Sequence, residues 1–125
     1  MDTQKEYALQ MANTIWKTLF WSLKPHEVLS WGVRKRIATY WNNKHALEIH
    51  VNGMLHKGPV VIAYEEGEDL YEVYLLDNNR VSTQSMKHIY ADELGSRIDE
   101  IVERTKDIKD EEYKTKAFSE LLKAI

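Results

Sequence analysis

The spacing of apolar residues changes twice along this chain, from helical to alternating and back to helical. In the first part, apolar residues recur every three or four positions without Pro or Gly, which predicts an amphipathic helix over about residues 3–23. The same spacing returns late in the chain and predicts a helix over about 92–106 and a second or continued helix over about 110–124. Asp92 and Glu93 favour a helix start through capping and the helix dipole.

Between these helices the apolar residues alternate, which is typical of strands with one buried face. The dipeptide Asn52-Gly53 separates two β-rich runs and favours a two-residue type I′ turn. In that turn Val51 pairs with Met54, and Glu48 lies opposite Lys57 as a favourable cross-strand charge pair. A first hairpin of this register is therefore expected.

A second hairpin follows, with the acidic loop EEGED (65–69) between two apolar runs. We expect Glu65 to face Leu70, and continuing that register pairs Tyr64 with Tyr71. The segment VSTQSMKHI (81–89) is not counted as a strand. The strands predicted for an antiparallel meander of three to four strands are 36–41, 46–51, 54–64 and 70–76.

These elements predict one α+β domain over residues 1–125. Pro25 and Gly32 would bracket a short helical turn ahead of the first strand. The two hairpins agree on one core face, which the N-terminal helix and helix 92–106 would cover.

The second face of the predicted sheet also carries too many apolar residues to be left in water. We therefore expect self-association, as a homodimer, or a partner protein on this face, with the C-terminal helix as the competing cover. The residues predicted for this protein interface are Leu55, Val61, Leu70, Tyr74 and Leu76.

The composition indicates the cellular compartment in which we expect the chain. The 125 residues contain no Cys, which excludes disulfides and thiolate chemistry and favours the cytoplasm. No apolar run approaches the roughly 18 residues of a membrane span, so we expect a soluble chain without a membrane partner. Charge is uneven: residues 24–57 hold six basic and two acidic residues, a net charge of +4, whereas 58–79 hold six acidic residues and no basic one.

The sequence contains no recognised catalytic motif. His26-Glu27 begins like the zinc-protease HExxH motif, but Ser30 stands where the second histidine is needed. The loop EEGED lacks the alternating ligand spacing of a calcium site. In the predicted register His50 and His56 point to opposite faces, so they cannot share a metal. We expect no enzyme activity, metal, cofactor or small-molecule ligand.

The segment 31–45 interleaves basic and aromatic residues, a combination that can join phosphate contacts to base stacking. In the alternative interpretation, Trp31 and Trp41 are core residues and the basic triplet is a solvated strand edge. The residues predicted for nucleic-acid contact are Arg34, Lys35, Arg36, Tyr40, Trp41 and Lys44.

The runs SWG, VNGMLHKG, DLYEVYLL and YADELGSRIDEIVER lie within residues 30–104. Over this span the chain resembles small uncharacterised α+β proteins of gut Bacteroidetes. The resemblance implies a bacterial α+β fold and carries no activity, cofactor or functional residue.

Two classes of function follow. The first is a non-enzymatic protein-interaction module, and the alternative is a nucleic-acid-associated accessory protein that binds through segment 31–45. A continuous positive groove beside an exposed Trp41 would favour the alternative, whereas scattered basic side chains would favour the first.

Overall fold

The computed structural model describes residues 3–21, 23, 25–103, 115, 116 and 118–122, with the side chains of 25 and 26 left undescribed. Residues 115, 116 and 118–122 are helical and are called the C-terminal helical segment below. A single turn of 3₁₀ helix, Ala91–Glu93, precedes the third helix. The other elements are α1 (Thr3–Thr18), α2 (Pro25–Leu29), β1 (Lys35–Trp41), β2 (Lys44–Asn52), β3 (Lys57–Glu65), β4 (Leu70–Leu76), β5 (Ser82–Ile89) and α3 (Leu94–Val102).

The described strands form one antiparallel sheet in the order β1-β2-β3-β4-β5, so the predicted α+β meander is confirmed. The count of three to four strands is wrong, because β5 is a fifth strand in segment 81–89, where no strand is predicted. Its pairing with β4 shifts twice, between Tyr71 and Val73 and between Leu75 and Leu76. These irregularities break the alternation on which sequence-based strand prediction depends.

The second predicted hairpin is confirmed residue by residue. Tyr64 pairs with Tyr71, Ile62 with Val73, and Glu65 with Leu70. The predicted helical turn before β1 is also present as α2, and Gly32 ends the turn after it with a φ of 64°. That backbone angle favours glycine because it carries no Cβ.

The register predicted for the first hairpin is wrong. Asn52 pairs with Lys57, and Glu48 lies opposite Val61 instead of Lys57, so β3 begins at Lys57 after a loop of residues 53–56. The type I′ geometry occurs instead between β1 and β2, where Asn42 and Asn43 have φ angles of 51° and 63°.

The role of Gly53 explains the shifted register. A Cβ atom on Gly53 would overlap the carbonyl oxygen of Val102 at the end of α3. The same carbonyl accepts hydrogen bonds from the backbone N–H groups of Leu55 (2.8 Å) and His56 (3.2 Å). The loop therefore caps the C-terminus of α3, and this long-range contact replaces the local turn preference of Asn-Gly.

Two of the predicted helices, those over 3–23 and 92–106, are shorter than predicted. α1 ends at Thr18 instead of residue 23. After Thr18 the backbone tightens, because the N–H groups of Phe20 and Trp21 bond to carbonyls three residues earlier. The Leu19 carbonyl packs so closely against Gly95 that a Cβ atom there would overlap it. The helix predicted over 92–106 is the 3₁₀ turn followed by α3, and neither start has a side-chain cap. Residues 104–106, like most of 110–124, lie outside the described residues.

The main core lies between the first sheet face and the helices, as predicted. Strand residues such as Ile49, Ile62 and Val73 are buried against Ile15 of α1 and Ile98 of α3. Within the described residues, no helix is long and apolar enough to cross a membrane.

Candidate interaction surfaces

The second sheet face carries a smaller apolar cluster of strand residues. Val61 and Leu76 have no solvent exposure and Tyr74 is buried, whereas Leu70 is only partly buried. Leu55 is half-exposed in the 53–56 loop and is not on the strand, which corrects its predicted place on this face. Three of the five predicted interface residues are thus covered within the chain, and an interface between chains at this face stays a prediction.

Arg80 forms an ion pair with Glu48, a buried carboxylate on this face. Its guanidinium donates to both carboxylate oxygens of Glu48, at 2.7 and 3.2 Å, and His50 contacts the same carboxylate at 2.7 Å. Glu48 lies opposite Val61 on β3, and both β3 and β4 lie between β2 and the strand that follows the loop holding Arg80. The Arg80 hydrogen bonds lower the pKa of the buried Glu48 carboxyl, against the opposing effect of burial.

The other end of the face is covered by aromatic and charged side chains. The rings of Trp41 and Tyr74 lie 5.5 Å apart, and the Tyr74 hydroxyl donates to Glu72 at 2.6 Å. Burial and this carboxylate together raise the pKa of Tyr74 to about 12. Lys44 lies between Glu65 and Glu72, at 3.5 and 3.8 Å. Val61, Tyr74 and Leu76 are therefore buried without a second chain.

The residues predicted for nucleic-acid contact do not share one surface. Pairing with β2 places Lys35, Trp41 and Lys44 on the second face, whereas Arg36 and Tyr40 lie on the first. Arg36 stacks over the Trp16 ring at 4.9 Å. Arg34 precedes β1 and is ion-paired with Glu120 at 2.8 Å. The basic side chains are thus scattered over both faces, and the function of the segment stays a prediction.

The C-terminal helical segment turns its charged residues toward the body of the protein. The Lys116 ammonium donates to the carbonyls of Ser30 (2.6 Å) and Asn52 (3.0 Å) and to the Glu103 carboxylate (2.8 Å). Glu120, which is also buried, accepts from Arg34 and from the Asn52 amide. Charged side chains in this inner position are uncommon unless they are paired.

Glu103 is the acidic residue at the centre of this contact and is fully buried. Its Oε2 atom also accepts from the Met54 backbone N–H at 2.8 Å, whereas its Oε1 atom has no hydrogen-bond partner among the described residues. Burial raises the pKa of the Glu103 carboxyl, and the bonds from Lys116 and Met54 oppose that effect. The nearby Asp99 accepts from the buried Trp31 indole at 2.8 Å, which makes Trp31 a core residue as the alternative interpretation expected.

The apolar residues of the same segment face outward. Phe118 is 63% exposed, Leu122 56% and Leu121 44%. Leu121 also lines a mainly apolar cavity of about 150 Å³ beside Trp16, Phe20 and Leu29. We call Phe118, Leu121, Leu122 and this cavity the C-terminal apolar surface.

The three central histidines lie apart, at the end of β1 and β2 (His45), on the second face (His50) and in the 53–56 loop (His56). Among the described residues, no three His, Asp or Glu side chains are arranged to hold a metal ion. Sequence reasoning missed Arg80, Glu103 and Lys116, because their partners lie 32, 49 and up to 86 residues away along the chain. The helical spacing of Phe118, Leu121 and Leu122 was visible, but not the direction in which they point.

Comparison with protein-family models, with curated proteins and with solved structures finds no match for this chain. The resemblance to gut Bacteroidetes proteins therefore stays a prediction.

Proposed function

We propose that this chain is a non-enzymatic protein-interaction module, working in the cytoplasm, whose main contact surface is the C-terminal apolar surface. The observation that supports this function most is the orientation of the C-terminal helical segment, in which Glu120 is buried, Lys116 is partly buried, and Phe118 and Leu122 are exposed. Apolar side chains that are clustered and exposed are typical of surfaces that bind another protein.

The polar anchoring of the segment strengthens the proposal. A helix held only by apolar burial would turn Phe118 and Leu122 inward, since each buried apolar side chain contributes roughly 1.5–3 kcal/mol. Here Lys116 and Glu120 fix the opposite orientation through five polar contacts, to Ser30, Asn52, Glu103 and Arg34. The exposed ridge is therefore held in place before any partner arrives, which lowers the entropic cost of binding.

Site-specific photocrosslinking in the native cell tests this function. A benzophenone amino acid placed at Phe118 should give a discrete crosslinked protein, because this side chain is 63% exposed beside Leu121 and Leu122. The same probe at Gln84, an exposed polar position on β5, is the matched control and should give no adduct. The Leu122→Glu substitution should remove the Phe118 adduct.

Two outcomes would contradict the proposal. Absence of any adduct from Phe118, with the chain expressed and folded, would remove its support. An adduct obtained instead from Ile37, which lies exposed on the second sheet face, would move the contact to that face.

A further inference from the structure

The outer edge of β1 is an unpaired strand beside two small cavities. β1 pairs with β2 on one side only, and no described strand lies on its other side. Its pairing is continuous from Lys35 to Trp41, whereas the opposite sheet edge, β5, is interrupted by two register shifts. A regular strand edge with free N–H and C=O groups is a template for another strand.

Two cavities open next to this edge, on the face covered by α1. One is the cavity of about 150 Å³ already described, near Arg34 and Val33 at the start of β1. The other, of about 160 Å³, lies between Leu9 and Asn13 of α1 and Ala38 of β1. Each is smaller than the roughly 300 Å³ at which small-molecule sites begin, so each suits one side chain.

Arg36 and Trp16 separate the two cavities and line both of them. The Arg36 guanidinium stacks on the Trp16 ring at 4.9 Å. The side chain is exposed, and no carboxylate among the described residues pairs with it. A stacked guanidinium is held in position and keeps its N–H donors for an incoming carboxylate.

We propose that β1 accepts an extended segment of a partner protein as an additional strand, with an acidic residue opposite Arg36 and apolar residues two positions before and after it. Residues two apart on a strand share a face, so these three side chains meet the first cavity, Arg36 and the second cavity in turn. The expected partner sequence is apolar-x-Asp/Glu-x-apolar. This inference rests on the proposed function, because it names the chemistry of one partner segment.

Charge argues against a second copy of this chain as the occupant. β1 carries Lys35 and Arg36 and no acidic residue, so two β1 strands paired edge to edge would bring only basic charges together. Like charges at an edge discourage self-pairing, and they favour an acidic partner.

A peptide-display selection against the full chain tests the inference. Random twelve-residue peptides should enrich the apolar-x-Asp/Glu-x-apolar pattern. Selection against Arg36→Glu should replace the central acid by Lys or Arg. Lys35→Glu makes the same charge change one residue away on the other sheet face, and it should retain the acidic preference. A synthesised peptide of the enriched pattern should bind Arg36→Glu about tenfold more weakly than the native chain.

Circular dichroism checks that Arg36→Glu is folded, and Arg36→Gln replaces it if it is not. The inference is overturned if no pattern is enriched, if the charge preference survives the Arg36 substitutions, or if the enriched residues repeat every three or four positions as in a helix. A dimer in sedimentation equilibrium that Arg36→Glu dissociates would also overturn it. The Phe118 crosslink reports on the exposed side of the C-terminal helical segment and not on the edge of β1, so a failed selection with an intact crosslink rejects only this inference.

Discussion

The second sheet face and the C-terminal apolar surface are both organised by a buried glutamate and a long basic side chain, with opposite results. On the sheet face, Arg80 reaches inward from a loop to Glu48, which lies opposite the buried Val61. At the C-terminal surface, Lys116 reaches inward from a helix to Glu103, and the helix is left with its apolar side outward. The same kind of pair therefore lies beside buried apolar residues in one region and beside exposed ones in the other.

The two glutamates differ in how completely they are bonded. Both oxygens of Glu48 accept hydrogen bonds, and its pKa is lowered. Among the described residues, only Oε2 of Glu103 accepts hydrogen bonds, and burial raises the pKa of this carboxyl. A buried carboxylate is stabilised in its charged form when its hydrogen bonds and ion pairs outweigh the loss of solvent.

The largest expected effect is that of Val61→Glu on the second face. Val61 has no solvent exposure, so an unpaired charge there should lower the free energy of unfolding by about 3 kcal/mol or more, measured by urea denaturation. Ile62→Ala, a core truncation on the other face, should cost about 2–5 kcal/mol and serves as the reference. If Val61→Glu stays folded and dissociates a dimer, the second face is an interface between chains.

Glu48→Gln should destabilise the protein at pH 7, because Arg80 and His50 lose their charged partner. Since the folded pKa of Glu48 lies below 4.5, its contribution is fully present above that pH and is lost as the pH falls through the folded value. Urea midpoints of the native chain and the variant should therefore converge below pH 4.5. If the two urea midpoints differ by the same amount at every pH, the ion pair between Arg80 and Glu48 does not stabilise the folded state.

Glu103→Gln should show the opposite dependence on pH. The folded pKa of Glu103 lies above 4.5, so the folded state takes up a proton before the unfolded chain does. As the pH falls from 7 toward 4.5, the native chain should gain stability relative to Glu103→Gln. Thermal unfolding of both proteins across this range measures the difference, and a relative loss of stability would mean that Lys116 dominates over burial.

Leu122→Glu should have the smallest effect on stability. Because Leu122 is 56% exposed, the free energy of unfolding should change by no more than about 0.5 kcal/mol. Urea denaturation curves of Leu122→Glu and the native chain should coincide, in contrast to those of Val61→Glu. A large destabilisation would mean that Leu122 is packed within the chain.

The sequence predicts local pairing better than distant contacts. The Tyr64 and Tyr71 register follows from alternation across a short loop, and the structure confirms it. The prediction of a type I′ turn at Asn52-Gly53 is wrong because Gly53 packs against Val102, 49 positions later in the chain. No local sequence pattern indicates that contact. β5 is not predicted because its register shifts interrupt the alternation of apolar and polar residues along the strand.

The candidate site is predictable only in part for the same reason. The helical spacing of Phe118, Leu121 and Leu122 indicates an apolar stripe. An apolar stripe normally faces the core, so the outward orientation depends on where Lys116 and Glu120 find partners. Those partners, Ser30, Arg34, Asn52 and Glu103, come from three separate parts of the chain.

Thiol labelling tests most directly whether the C-terminal apolar surface is open. The chain contains no Cys, so each single-cysteine variant reports one position without background. Phe118→Cys and Leu122→Cys should each react with a thiol reagent about as fast as the same variant does when denatured. Val61→Cys should be protected, because Val61 is fully buried. Protection at 118 and 122 equal to that at 61 would contradict the account, because the apolar residues of the segment would then be buried.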